Sequence, residues 1–292
     1  MSRVLVTGAS GMLGSQLLLD APRGVTAVGT DLRAGDDIVA PGYDLADPAR
    51  VEALLAAHGP FEGVIHAAAW TAVDLAEERE AEAARANVDA TRELARAVAQ
   101  RGIPLVLVST DFVFDGCARR PYRVDDETRP LSAYGRTKLA GELAAREAHP
   151  AGTRIVRTQW LYGPRGKHFP GTILALAKER KELRVVHDQV GAPTSTLELA
   201  PALWDVLRAG EAGVYHAACD GQASWFELAV ATLELAGVTD VRVEPCTTSE
   251  FPRPAARPRY SVLDCSRLTA LRGRPLAPWR AALAAFLALH RP

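Results

Sequence analysis

The chain has 292 residues, 48% of them apolar and 24% charged, so it can bury a large core as one domain or as two unequal domains. Its formal net charge of −1 and its lack of a basic block argue against a nucleic-acid partner. The sequence enters a predicted strand at residue 3, which leaves no room for a signal peptide, and no apolar run reaches the ~18 residues of a membrane helix. We therefore expect a cytoplasmic protein without a membrane partner.

Short β-branched runs alternate with helical stretches through the first half of the chain. This alternation predicts parallel β/α units and a sheet that helices cover on both faces, which is an α/β fold. The predicted strands are residues 3–7, 26–30, 63–66, 105–109 and 154–158, and the predicted helices are residues 14–20, 48–58, 80–101 and 133–148.

The pattern changes at about residue 161. Irregular, proline-rich segments, such as residues 251–258, now separate the predicted helices. We expect a first domain over residues 1–160 and a smaller C-terminal lobe over residues 161–292, with segments of the two interleaved. The predicted helices of the lobe are residues 172–180, 197–207, 225–235 and 278–289.

A glycine-rich loop follows the first predicted strand. Residues 8–14 read G-A-S-G-M-L-G, a G-x-x-G-x-x-G pattern that opens a helix. Glycines let the chain turn sharply and let a pyrophosphate approach the helix N-terminus, where free N–H groups and the helix dipole favour anions. The loop predicts a Rossmann-type, doubly wound dinucleotide-binding domain. Its expected cofactor contacts are Gly8, Gly11, Met12, Leu13 and Gly14.

The residues after the second predicted strand bear on the choice of cofactor. Asp31 lies where an acid hydrogen-bonds the adenosine ribose 2′-hydroxyl, which favours NADH. Arg33 follows two residues later and can accept the 2′-phosphate of NADPH. The sequence therefore predicts either NADPH or NADH.

Two further segments have competing interpretations. Asp44 and Leu45 lie at a plausible position for an adenine contact, whereas Asp44 can equally cap the next helix. Ala67, Ala68 and Ala69 are small residues past which a dinucleotide backbone can run, but they equally suit tight packing of a helix on the sheet.

The chemistry is predicted from Tyr134 and Lys138. They are four residues apart on a predicted helix and so lie on one face. An ammonium beside a phenol lowers the phenol pKa, which makes the tyrosine a usable proton donor to a carbonyl. Thr110 ends a predicted strand at the edge where α/β sheets bind ligands, and its hydroxyl can polarise the same carbonyl.

Longer strings along the chain carry a resemblance. Residues 109–116 read S-T-D-F-V-F-D-G, residues 134–142 read Y-G-R-T-K-L-A-G-E and residues 188–194 read D-Q-V-G-A-P-T. Together with residues 66–74 and 157–163, they resemble the extended short-chain dehydrogenase/reductase superfamily, and within it the dTDP-4-dehydrorhamnose reductase family.

The resemblance implies NAD(P)H-dependent reduction of the C4 ketone of a dTDP-linked 4-keto-6-deoxyhexose. By position, it assigns catalysis to Thr110, Tyr134 and Lys138, with Tyr134 and Lys138 also contacting the cofactor. Asp111 and Trp160 fall at substrate contacts, and their residue types agree, because a carboxylate accepts sugar hydroxyls and an indole offers a flat face. Asp111 as a turn cap and Trp160 as a core residue remain alternatives.

Several points stay open at this level. The segment H-F-P at residues 168–170 departs from the family pattern, so the sugar or nucleotide can differ. A sugar-nucleotide epimerase and a non-catalytic NADP-binding regulatory subunit are the alternative functions. A homodimer is an open possibility. The four cysteines form no C-x-x-C pair and the seven histidines show no ligand spacing, so we expect neither a disulfide framework nor a metal.

Overall fold

The computed structural model describes residues 2–35 and 38–289. The first half alternates strands and helices: β1 (Ser2–Thr7), α1 (Met12–Leu19), β2 (Val25–Asp31), β3 (Ala40–Pro41), α2 (Pro48–His58), β4 (Gly63–His66), α3 (Val73–Glu78), α4 (Glu80–Ala84), α5 (Ala90–Ala99), β5 (Leu105–Thr110), α6 (Ala133–Ala148) and β6 (Thr153–Thr158). The second half contains β7 (Leu161–Tyr162), α7 (Phe169–Glu179), β8 (Glu182–Val186), β9 (Val190–Gly191), β10 (Thr194–Ser195), α8 (Thr196–Ala209), β11 (Gly213–His216), β12 (Ala223–Ser224), α9 (Trp225–Leu235), β13 (Arg242–Cys246), α10 (Ser266–Arg272) and α11 (Trp279–Ala288).

A seven-stranded sheet in the order β11-β6-β5-β4-β1-β2-β3 forms the centre of the molecule. Its strand pairs are all parallel. From β1 the chain first runs outward through β2 and β3, and then returns to β4 on the other side of β1. The strand order therefore reverses between β1 and β4, which is where doubly wound sheets bind their ligands.

Both faces of this sheet are buried, because successive strand residues point to opposite sides. Leu5 of β1 packs with the helices α2 and α5, whereas its neighbours Val4 and Val6 pack with α1 and α8. The predicted α/β fold with a doubly wound parallel sheet is thus confirmed.

The C-terminal half adds a smaller layer. Helices α7 and α9 bury apolar side chains against the parallel pair β8–β13, and α11 packs against α9. Helix α8 and strand β11, however, belong to the central sheet layer although they follow residue 161. The division at residue 160 remains a prediction. None of the helices in the two described ranges is long and apolar enough to cross a membrane.

The helix predicted over residues 80–101 is interrupted. A single π-helical turn at Arg85–Asp89 separates α4 from α5. Asn87 lies in this turn with its side chain buried, where it accepts a hydrogen bond from the Trp70 backbone N–H at 2.8 Å and donates to Thr137 Oγ1 at 3.0 Å. These contacts come from distant parts of the chain, so helical periodicity alone does not predict the interruption.

Candidate active site

The glycine loop joins β1 to α1 beside the point where the strand order reverses. Gly8 has a φ of +66°, and a Cβ there would lie 2.6 Å from the Ala68 nitrogen, so the loops after β1 and β4 touch. A Cβ on Gly14 would collide with the Gly8 carbonyl oxygen. Gly11, by contrast, is exposed at the N-cap of α1. The loop therefore leaves the helix N-terminus open, as a pyrophosphate requires.

The residues after β2 are arranged around the Asp31 carboxylate. Asp31 Oδ2 accepts hydrogen bonds from the Ser10 backbone N–H at 3.1 Å and from Ser10 Oγ at 2.7 Å. Arg33 is exposed, and its backbone N–H donates to Asp31 Oδ1 at 3.3 Å. The Asp31 carboxylate thus lies against the glycine loop, and the roles of Asp31 and Arg33 in the choice between NADPH and NADH remain predictions.

Asp44 was interpreted from the sequence either as an adenine contact or as the cap of the next helix, and the structure bears on the second interpretation. Asp47, not Asp44, caps α2 with its side chain, while Asp44 accepts a 2.6 Å hydrogen bond from Arg85. That hydrogen bond is the main reason why the pKa of Asp44 is lowered. Leu45 is buried in the core on the α2 and α5 side of the sheet. An adenine contact by this segment remains a prediction.

Residues 67–69 follow β4 and are half-buried, and Ala68 touches the glycine loop at Gly8. Ala67 and Ala68 also pack against the core clusters on the two faces of the sheet. The position of these alanines is therefore compatible both with contact to a dinucleotide and with tight packing on the sheet.

The three predicted catalytic side chains lie together at the carboxyl end of β5. Thr110 is the last residue of β5, and its hydroxyl lies within hydrogen-bond reach of the buried Tyr134 phenol on α6. The Tyr134 ring packs edge-on against Phe112, with the ring centroids 5.5 Å apart. Lys138, one helical turn further, donates from Nζ to the Val108 carbonyl oxygen at 2.7 Å. The arrangement presents two hydroxyls and an ammonium to one small region.

The acidity of Tyr134 differs from the prediction made for it. Burial raises the pKa of Tyr134 to about 12, against the lowering effect of the Thr110 hydrogen bond, and the Asp111 carboxylate raises it further. Burial also lowers the pKa of Lys138 to about 8. The predicted lowering of the tyrosine pKa by Lys138 is therefore absent from this structure. Tyr134 instead keeps its proton at neutral pH, which is the form that a proton donor needs.

Asp111 directly follows β5, and Trp160 follows the neighbouring strand β6. Asp111 is almost fully buried, and burial raises its pKa to about 6 against the lowering effect of the neighbouring Ser261 and Thr110 hydroxyls, of which Thr110 donates to Oδ1 at 3.1 Å. Trp160 has a φ of +48°, a backbone conformation that bulky residues adopt at strained or functional sites. Its indole stacks on Trp225 with ring centroids 3.6 Å apart. Trp225 in turn donates to Gln189 of the D-Q-V-G-A-P-T string.

Two of the ion pairs in the structure were not predicted from the sequence. Arg157 and Glu142 form a buried ion pair below the Tyr134–Lys138 face of α6. Arg257 donates to both carboxylate oxygens of Asp74, from Nη1 to Oδ1 at 3.0 Å and from Nη2 to Oδ2 at 2.9 Å. Their partners are distant along the chain, and no local pattern pairs them. Throughout the part of the chain that the structure describes, no group of three or more His, Cys, Asp or Glu side chains is arranged to hold a metal ion.

Comparison with known proteins identifies what the chain is similar to. A family model described as the RmlD substrate binding domain matches residues 2–291. A dTDP-4-dehydrorhamnose reductase of Streptomyces griseus is 46% identical over 96% of this chain and 91% of its own length. A dTDP-4-keto-6-deoxy-D-glucose reductase of Streptomyces niveus is 40% identical over 96% of this chain and 95% of its own length. The crystal structure of a Bacillus anthracis dTDP-4-dehydrorhamnose reductase in complex with NADP has a TM-score of 0.91 and 34% identity, covering 99% of this chain and 100% of that one.

Proposed function

The chain belongs to the dTDP-4-dehydrorhamnose reductase family, and we propose that it reduces the C4 ketone of a nucleotide-linked 4-keto-6-deoxysugar with NADPH or NADH. The proposed reaction converts dTDP-4-dehydro-β-L-rhamnose to dTDP-β-L-rhamnose. One observation carries the proposal beyond the family: Thr110, Tyr134 and Lys138 meet at the carboxyl end of β5, the edge of the parallel sheet at which the glycine loop also follows β1.

The residues of the glycine loop fit a dinucleotide. The exposed Gly11 at the N-cap of α1 leaves the helix N-terminus accessible to a pyrophosphate, and Asp31 or Arg33 would contact the adenosine ribose. A reduced nicotinamide dinucleotide bound there supplies the hydride. Lys138 is the residue that would hold the nicotinamide ribose.

The side chains of the site would act on the ketone oxygen as follows. Negative charge develops on the carbonyl oxygen as the C4 carbon is reduced, and Tyr134 donates its proton to that oxygen. Thr110 donates a hydrogen bond to the same oxygen and stabilises the charge. The raised pKa of Tyr134 keeps the proton in place until then. The Lys138 cation would donate hydrogen bonds to the nicotinamide ribose.

Asp111 and Trp160 are proposed to bind the sugar nucleotide. A carboxylate accepts hydrogen bonds from sugar hydroxyls, and an indole can pack on a pyranose or a base. The buried Oδ2 of Asp111 has no hydrogen-bond partner among the described residues, so an added hydroxyl would relieve an unpaired acceptor. This supports a ligand contact at Asp111 over a role as a turn cap alone.

The test is an assay of cofactor oxidation against a panel of dTDP-, UDP- and GDP-linked 4-keto-6-deoxy sugars, with NADPH and NADH each supplied in turn. The panel includes dTDP-4-dehydro-β-L-rhamnose and dTDP-4-keto-6-deoxy-D-glucose. We expect stoichiometric oxidation with the rhamnose precursor and a C4 alcohol in the product NMR spectrum. Interconversion of C4 epimers without net oxidation would indicate an epimerase, and cofactor binding without turnover of any sugar would indicate a regulatory subunit.

A further inference from the structure

Three ionisable side chains follow one another along the buried face of α6. Tyr134, Lys138 and Glu142 are four residues apart, so they form one stripe along the helix. All three are buried, and Glu142 is only 2% exposed. Glutamate and lysine are rarely buried unless they are paired. Tyr134 and Lys138 have roles in the proposed reaction, but Glu142 has none so far.

The Glu142 carboxylate is held by two strands. Ser109 Oγ of β5 donates to Oε1 at 2.5 Å. Arg157 of β6 donates from Nε to Oε1 at 3.0 Å and from Nη2 to Oε2 at 2.7 Å. The two charged side chains are 6% and 3% exposed, so the pair is almost fully desolvated. Breaking one partner of such a pair is costly, because the other charge stays buried and unpaired.

These contacts fix the position of α6 along β5. Three consecutive residues of β5 each meet one member of the stripe: the Val108 carbonyl meets Lys138, the Ser109 hydroxyl meets Glu142, and the Thr110 hydroxyl meets the Tyr134 phenol. A shift of the helix along the strand would therefore separate Tyr134 and Lys138 from Thr110. The Glu142–Arg157 pair is the charged contact that opposes such a shift.

We propose that Glu142, clamped by Arg157, is a positioning residue for the reduction: it holds Tyr134 and Lys138 against Thr110 and supplies a negative charge that favours the Lys138 cation. The inference rests on the proposed function, because Lys138 acts in that reaction.

The charges around Lys138 agree with this role. On α6 itself it is flanked by Tyr134 and Glu142, and β4 contributes His66, whose pKa falls to about 3 through burial and the Lys138 charge, so that it is neutral. The strand β6 contributes Arg157, which is bound to Glu142. Burial lowers the pKa of Lys138, and Glu142 acts in the opposite direction. Removing the Glu142 charge should therefore make Lys138 lose its proton at lower pH.

Asp111 also faces this region, from the turn after β5. Burial raises its pKa to about 6, so it titrates on the acid side of the Lys138 transition. An effect of Glu142 on Lys138 is consequently sought on the alkaline side, where Asp111 stays ionised.

Two variants separate positioning from folding. Glu142→Gln removes the charge and keeps the shape of the side chain. The double variant Glu142→Met/Arg157→Met removes both charges, and replacing a whole buried ion pair by apolar residues of similar size is commonly neutral for stability. Glu80→Gln is the matched control, since Glu80 forms an exposed bidentate pair with Arg136 on the outer side of α6.

The readouts are the melting temperature, kcat and KM for the sugar, and the dissociation constant of NADPH from its fluorescence, all measured from about pH 6 to 9.5. We expect the double variant to melt close to the wild type while kcat falls about 10²-fold, the usual cost of a misplaced catalytic group, with little change in KM. In both Glu142 variants the alkaline loss of kcat/KM and of NADPH affinity should move to lower pH. The Glu80→Gln control should behave as the wild type in every readout.

Two results would overturn the inference. A folded double variant with wild-type kcat and an unchanged pH profile would show that the pair serves the fold alone. A double variant that does not fold would show that the pair is a requirement of folding rather than of the site. A wild-type protein that turns over no ketosugar would instead contradict the proposed function, and the pH dependence of NADPH binding in the variants would still decide the role of Glu142.

Discussion

Replacement of Gly11 by valine is expected to abolish dinucleotide binding without unfolding the protein. Gly11 has a φ of −74° and a ψ of 170°, an extended conformation that any residue adopts. A Cβ there would meet the Gly8 carbonyl oxygen at 3.1 Å and would otherwise point away from the protein, into the space where a pyrophosphate approaches the helix. The two flanking glycines do not allow the same test, because a Cβ on either one would strike backbone.

The magnitude follows from the hydrogen bonds that the pyrophosphate would lose. Hydrogen bonds to a charged group contribute about 1.5–3 kcal/mol each, so each lost N–H contact should raise the NADPH dissociation constant by roughly 10- to 150-fold. The effect on stability should stay within about 1 kcal/mol, since valine is a poorer N-cap than glycine but restricts the unfolded chain.

The assay is a titration of NADPH fluorescence together with a thermal melt. Gly102→Ala is the control: Gly102 has a φ of +63°, lies in the turn before β5 at the opposite edge of the sheet, and has no atom near the position of an added Cβ. It should lose about 1 kcal/mol of stability through backbone strain and keep wild-type NADPH affinity. Wild-type NADPH affinity in a folded Gly11→Val variant would refute the assignment of the loop.

Three further outcomes follow from the site. Asp31→Ala should shift the preference toward NADPH by about tenfold or more, as expected for the loss of one charge-assisted hydrogen bond. Ser10→Ala keeps the carboxylate and should leave the preference unchanged. A shift toward NADH in Asp31→Ala would show that Asp31 does not face the ribose. The kcat/KM of the wild type should fall about tenfold between pH 7 and pH 9, because Lys138, with a pKa of about 8, is a cation below pH 8 and neutral above it. A kcat/KM that stays constant up to pH 9.5 would contradict a requirement for the Lys138 cation. Thr110→Val should lower kcat by about 10- to 100-fold, less than the loss of the proton donor, because it removes one hydrogen bond to the oxygen; an unchanged kcat would exclude Thr110 from the reaction.

The local sequence pattern was sufficient to predict the central sheet and the glycine loop. The β-branched runs at residues 3–7 and 105–109 became the central strands β1 and β5, because a parallel sheet buries such strands on both faces. The glycines at 8 and 14 were recognisable because the close approach of the loop to its neighbours leaves no room for a side chain.

Features that depend on distant partners were not predictable in this way. The short strand β11 joins the sheet through pairing with β6, and β8 pairs with β13 across a long stretch of chain. The π-helical turn exists because Asn87 binds Trp70 and Thr137. None of these pairings leaves a signal in the local periodicity.

In the candidate site too, some features were predictable from the local sequence and others depend on the tertiary structure. The spacing of Tyr134 and Lys138 follows from helix geometry and was read directly from the sequence. The acidity of Tyr134 was predicted in the wrong direction, because burial, which depends on the tertiary structure, raises its pKa more than the neighbouring groups lower it. The Glu142–Arg157 pair was overlooked for a related reason, since a charged residue in a helix usually faces solvent and only the fold shows that this one is buried.

The most direct test of the account is single-turnover oxidation of bound NADPH by dTDP-4-dehydro-β-L-rhamnose in the wild type and in Tyr134→Phe. Phenylalanine removes the proton donor and keeps the buried ring against Phe112, so the fold and the NADPH affinity should be preserved. We predict that the rate of the chemical step falls by about 10²–10⁴-fold, the usual contribution of a positioned general acid. A folded, NADPH-binding Tyr134→Phe variant that reduces the ketosugar at the wild-type rate would contradict the account, because the proton would then come from another group.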